Sequence, residues 1–173
     1  MITAIQMVNN FGQNINPIIA MIYGLSFVAG SIIEIECALR IHRFGKGDPQ
    51  TKPGSIASSF LIGGALIAMP LVTGMGIASL FGTAQPNALV YSGPGATGGM
   101  STAMVVIMHF IQLIGVGAMV KGMFVWHRIG RGTPRQGDTM SKAGWHLVGG
   151  ALAANIAGTA LMLGNSVGIT LPF

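Results

Sequence analysis

The sequence predicts an all-α polytopic membrane protein: four transmembrane helices in two tandemly repeated hairpins, both termini outside and two basic loops cytoplasmic. Three observations carry this. Hydrophobic residues make up 51% of the chain and charged residues only 8%, against roughly 25% charged in a soluble domain, so a water-facing surface cannot be built from this composition. The nine Lys and Arg all fall within Arg40–Lys52 and Lys121–Lys142, clusters flanked by long apolar runs, as the positive-inside rule expects of cytoplasmic loops. A short basic, glycine-containing motif also occurs once in each half.

The first span is expected over 18–39, entered at Asn16-Pro17, an N-cap side chain followed by Pro at the first helical position. The second covers 56–81, entered through Pro53 and Ser55. The third covers 103–126 with Ser101 or Thr102 as cap, and the fourth covers 143–163 behind Asp138 and Thr139. Each reaches the ~20 residues needed to cross ~30 Å of hydrocarbon. No positively charged segment precedes the first run, so a cleaved signal peptide is not expected.

The halves superpose in sequence. Ile41-His42-Arg43-Phe44-Gly45-Lys46-Gly47 matches Trp126-His127-Arg128-Ile129-Gly130-Arg131-Gly132, an offset of 126 − 41 = 85. Gly63-Gly64-Ala65-Leu66 matches Gly149-Gly150-Ala151-Leu152 at 149 − 63 = 86. This reads as duplication of one hairpin, with units of equal orientation related by an axis along the membrane normal. The domains are then a first hairpin over 1–82, an external Gly/Pro-rich connector over 83–100 with Tyr91 as an interfacial anchor, and a second hairpin over 101–173.

Arg and Lys at the inner helix ends favour the negative end of the helix dipole and reach phosphate headgroups. His42, Arg43, Lys46, His127, Arg128 and Arg131 are the candidates for lipid contact, and the glycines at 45, 47, 130 and 132 for helix termination. Phospholipid is therefore an expected partner. Small residues at four-residue spacing mark helix-packing seams: Ala20/Gly24, Ser26/Gly30, Gly64/Ala68, Ala118/Gly122 and Gly150/Ala154/Gly158.

Glu34, Glu36 and Lys121 lie inside apolar runs, where an unpaired charge at the bilayer centre costs about 2.5–3.5 kcal/mol on insertion scales. Under the 85-residue offset Glu36 aligns with Lys121, so a charge pair between spans one and three, or between neighbouring subunits, is expected. Asn155 and Gln112 are expected to hydrogen-bond to other helices, since hydrocarbon offers no partner. His109 has no second ligand at metal spacing and reads as interfacial or packed.

Nothing in the chain suggests catalysis. It carries no Gly-x-Ser-x-Gly, no His-Glu-x-x-His and no nucleotide loop. Its one cysteine, Cys37, can form neither an intrachain disulfide nor a Cys-based metal site. No enzyme activity, cofactor or metal is expected. The clustering of the basic residues between apolar runs also argues against sequence-specific nucleic-acid binding.

The second half carries a resemblance to a known group. His127-Arg128-x-Gly130-Arg131-Gly132, Asp138-Thr139-Met140, Gly149-Gly150-Ala151-Leu152-Ala153-Ala154-Asn155 and Gly158-Thr159 resemble a region of small inner-membrane proteins. These belong to Dot/Icm-type (type IVB) secretion systems and IncI-type conjugation systems: the DotE/IcmC, DotP/IcmD and DotV group with its TraQ/TraR counterparts. The resemblance is best over 105–165 and reaches the first half through the duplication. It implies a multi-pass bacterial inner-membrane subunit of a protein-transport or conjugation apparatus, pilin-like or pore-forming, partnered by copies of itself and by other machine subunits. The first half departs from the pattern: Met69-Pro70 stands where the second half has Asn155-Ile156. The competing readings are a small transporter or channel using Glu34, Glu36 and Lys121, and a holin-like protein. Ion movement in liposomes would mark the first and lysis on overexpression the second.

Overall fold

The computed structural model of the protein describes residues 4–48, 51–84 and 99–169. Among them are six helices and no strand: α1 (Ala4–Gly45), α2 (Pro53–Ile67), α3 (Met69–Phe81), α4 (Gly99–Gly130), α5 (Met140–Ala154) and α6 (Ile156–Ser166). Two helices hold a stretch long and apolar enough to cross a membrane, Asn14–Gly45 of α1 and Ala103–Gly130 of α4. The pairs α2–α3 and α5–α6 reach that standard only when each pair is taken together. Most of the expected connector, 85–98 with Tyr91, lies outside the described residues.

The expected helix start at Asn16-Pro17 is not used: α1 begins by Ala4 and runs through Pro17. A proline inside a helix removes one hydrogen bond and crowds the carbonyl four residues back, at a cost of ~3 kcal/mol. Packing on both sides of Pro17 offsets this. Ile15 and Ile19 are buried in one cluster with Ile77, Val116 and Ala154, which keeps both flanks of the proline helical. α4 likewise starts before Ser101 and Thr102, at Gly99.

The second and fourth expected spans are bent rather than straight, by 92° between α2 and α3 and by 90° between α5 and α6. The local causes differ. Pro70 stands in the first turn of α3, two residues past the break at Ala68. It has no N–H to carry the ladder of α2 forward. In the second bend Asn155 Oδ1 accepts from the Gly158 N–H at 3.3 Å and so caps α6 afresh. Thr159 Oγ1 then donates to the carbonyls of Leu152, at 2.6 Å, and Asn155, at 3.0 Å. Asn155, expected to bond to another helix, thus serves the bend of its own chain.

α1 packs on α2 and α4 on α5, and the two hairpins meet mainly where α1 and α2 lie against α4 and where α3 lies against α5. A central cluster of Ile33, Ile62, Leu66, Met69, Met119, Met123 and Ala151 draws on both hairpins. Each hairpin closes over glycine. A Cβ on Gly30 would sit 2.7 Å from the Gly63 carbonyl oxygen, and one on Gly115 2.7 Å from that of Gly150. Of the expected packing residues, Gly30, Gly150, Ala154 and Gly158 are buried, whereas Gly24 and Gly64 face outward. A Cβ on Gly24 would meet nothing within 4 Å. The glycine that meets α1 is Gly63, because a helical face turns about 100° per residue and only one of two adjacent glycines can face the partner. Ala68 belongs to the first break instead of a straight seam.

Outward faces are apolar: Leu25, Val28, Ile32, Ile35 and Leu39 on α1 are all more than half exposed.

Candidate functional site

The charged side chains gather at one end of the molecule, where the turn after α1 lies beside the turn after α4. Glu36 is the centre. Its carboxylate accepts from Arg131 at 2.6 and 2.9 Å and from Arg40, one helical turn away, at 3.4 Å. The expected partnership of Glu36 with Lys121 does not form within the chain: Lys121 is exposed on α4 and makes no ion pair among the described residues. The reason is reach. Lys121 lies about two and a half turns before the end of α4, whereas Arg131 follows that end and bends back over α1. α1 and α4 are bridged, but from the loop.

His127 and Gly130 of the second basic motif build the same junction, and Arg128 braces the turn beside it. His127 is 6% exposed, with its Nε2 3.4 Å from the hydroxyl of buried Ser59 on α2. Arg128 donates from Nε and an Nη to both carboxylate oxygens of Asp138, at 2.7 and 3.1 Å, a bidentate fork. A Cβ on Gly130 would land on the Ser58 side chain, so only glycine lets α4 end this close to α2. Gly47 and Gly132 have φ of +79° and +75°; Gly45 and Gly130 remain helical. Only the second glycine of each pair uses the left-handed region.

Three expected headgroup residues are therefore otherwise engaged, His127 in the core, Arg128 with Asp138 and Arg131 with Glu36. His42, Arg43 and Lys46 are exposed. Asp138 does not cap α5. That role belongs to Thr139, whose Oγ1 accepts from the Lys142 N–H at 3.1 Å. Arg128 and the Arg135 N–H, at 3.1 Å, instead hold the Asp138 carboxyl well below its ordinary value, at about 2.

Between the two turns lies a cleft of about 650 Å³ lined by Arg40, Arg43, Lys52 and Arg131, with Asp48 and the first turn of α2 on its wall. Arg40 and Lys52 bound the first basic stretch in the sequence, but nothing in their spacing signals that they face Arg131 across 91 and 79 residues (131 − 40 and 131 − 52).

Glu34 lies deeper, against α2. A Cβ on Gly63 would sit 2.5 Å from its Oε1, and that oxygen is buried without a hydrogen-bond partner. Gln112 lines a separate cleft with Tyr23 and Thr73. His109 Nδ1 donates to the Val105 carbonyl at 2.8 Å. Among the described residues no three His, Cys, Asp or Glu side chains cluster as metal ligands would.

The fold and this charged end define a class: an all-helical protein with apolar helices long enough to span a membrane and its charged groups concentrated at one end. The chain matches no family model, no curated protein and no solved structure.

Proposed function

We propose that the chain is a non-enzymatic structural or assembly subunit of a type IVB secretion or conjugative transfer apparatus, seated in the bacterial inner membrane. In this reading it crosses four times, with the bent pairs α2–α3 and α5–α6 each serving as one broken span. Both termini are outside, and the two hairpins descend from one duplicated unit. The observation that carries the reading is what the second basic motif does. His127, Arg128, Gly130 and Arg131 contact Ser59, Asp138, Ser58 and Glu36. Three of these contacts tie one hairpin to the other and the fourth, Arg128–Asp138, braces the turn of the second hairpin, a scaffold's use of a motif. The glycine approaches at Gly30–Gly63 and Gly115–Gly150 support a common hairpin geometry, and the apolar outer face of α1 suits burial against lipid or further copies.

Extraction in mild detergent followed by mass photometry and negative-stain imaging tests this. A ring, filament or co-purifying assembly far above the 17.8 kDa of one chain is the expected result. A lone monomer or dimer in its micelle would overturn it. That outcome would favour a transporter or channel, which the buried, unpartnered Oε1 of Glu34 supports, and ion flux in liposomes lost in Glu34→Gln would establish that alternative.

A further inference from the structure

We propose that the cleft between the two basic turns is a binding site for a phosphate-bearing anion. The site does not depend on the assembly reading.

Four cations line it, Arg40, Arg43, Lys52 and Arg131. Two carboxylates oppose them: Asp48 on the wall and Glu36 behind Arg40 and Arg131. The balance, four minus two, leaves two positive charges, enough for one dianionic phosphate or two singly charged phosphodiesters. Arg43 and Lys52 enter no ion pair among the described residues, and Arg131 Nε is buried without a hydrogen-bond partner. Arg131 meets Glu36 through its two terminal nitrogens and still forms part of the cleft wall. Glu36 thus holds the guanidinium in place rather than consuming it.

Backbone supplies the remaining recognition. The first turn of α2 forms part of the wall at Gly54 and Ser55; the Ser55 N–H is taken by the Lys52 carbonyl at 3.0 Å and Pro53 has none, so the helix offers the Gly54 N–H and the positive end of its dipole. A Cβ on Gly54 or Gly132 would meet nothing within 4 Å, so the backbone at both places is open to a ligand. Thr51 Oγ1 donates to Asp48 Oδ2 at 3.1 Å, which draws off part of that carboxylate's charge. The volume, about 650 Å³, falls within the range of about 300–1,000 Å³ typical of small-molecule sites. Arg40 and Arg43 lie in the last two turns of α1, the level at which a span emerges, so a phospholipid headgroup and a soluble phosphate compound can both reach the cleft.

The test uses the full chain in nanodiscs. Lipid retention is read by native mass spectrometry from phosphatidylcholine discs with and without phosphatidylglycerol. Pyrophosphate is titrated against thermal unfolding in phosphatidylcholine discs alone. Selective retention of phosphatidylglycerol identifies a lipid headgroup as the source, and a pyrophosphate-dependent rise in melting temperature identifies a soluble one. In either arm the double variant Arg43→Gln/Lys52→Gln should weaken binding about 30-fold, from about fivefold per cation at headgroup level. The pair Lys46→Gln/Arg135→Gln, two cations at the same end of the molecule but outside the cleft lining, should leave it within about twofold of wild type. Equal loss in both double variants would reduce the effect to diffuse surface charge and overturn the proposal. Failure of wild type in both arms would overturn it equally. Arg43 and Lys52 hold no part of the Glu36–Arg131 tie, so an unchanged melting temperature in ligand-free discs confirms that the variant is folded.

Discussion

Asp138 and Glu36 show two uses of a carboxylate at the same end of the molecule. Asp138 lies in the turn between α4 and α5, its side chain only 4% exposed and gripped by Arg128; Glu36 joins two hairpins 95 residues apart in sequence. The Asp138 contact sets a pH dependence whose sign follows from its depressed pKa. Its carboxyl titrates at about 2 in the folded chain and near 3.9 when unfolded. The stabilisation is therefore complete above about pH 4 and disappears as pH falls from about 4 to about 2. The melting-temperature gap between wild type and Asp138→Asn should be constant from pH 7 to 5 and close over that lower window. A gap unchanged at pH 2 would contradict the assignment. The Arg128–Asp138 pair was within reach of the sequence, since both residues stand in one short basic loop. The Glu36–Arg131 pair was not: alignment by repeat offset matches positions along helices, while a long arginine following a helix end can fold back to a different depth.

At the scale of the element, the two bends show how unlike sequences reach one shape. Pro70 disrupts the helical ladder by lacking a donor, and Asn155 does so by offering its own acceptor to Gly158. The four apolar runs were legible as helices because composition and length announce them. Their bends were not, because a proline near a span's midpoint and an asparagine among alanines each admit a straight helix as well. Pro17 makes the same point in reverse, a proline that its buried neighbours hold within α1. The seams follow a similar logic. Small-residue spacing locates a packing stripe, but which of Gly63 and Gly64 meets α1 is set by rotation about the helix. Gly115→Ala forces a Cβ to 2.5 Å from the Ala154 backbone nitrogen and should cost about 1–3 kcal/mol by overpacking. Gly24→Ala, on the outward face, should be neutral or slightly stabilising. Melting temperatures of the two variants in one detergent make the comparison, and equal shifts would refute the seam.

Taken whole, the molecule has a tall side and a short one. The membrane-length segments of α1 and α4, counted through their charged ends, comprise 32 and 28 residues, about 48 and 42 Å at 1.5 Å per residue. α2 and α5 have 15 residues each before their right-angle bends, about 22 Å, against a hydrocarbon thickness of ~30 Å. α1 and α4 can cross with their charged ends at the surface, whereas a bilayer beside the short helices would have to pinch. Two copies brought together along their short flanks would share one pinch instead of making two. Energy transfer between labelled copies should therefore rise as acyl chains are lengthened at fixed protein-to-lipid ratio, and a flat response would remove thickness as a driving force. On the membrane reading proposed above, the right-angle bends would act beyond the chain that makes them, straining lipid that separate copies could share.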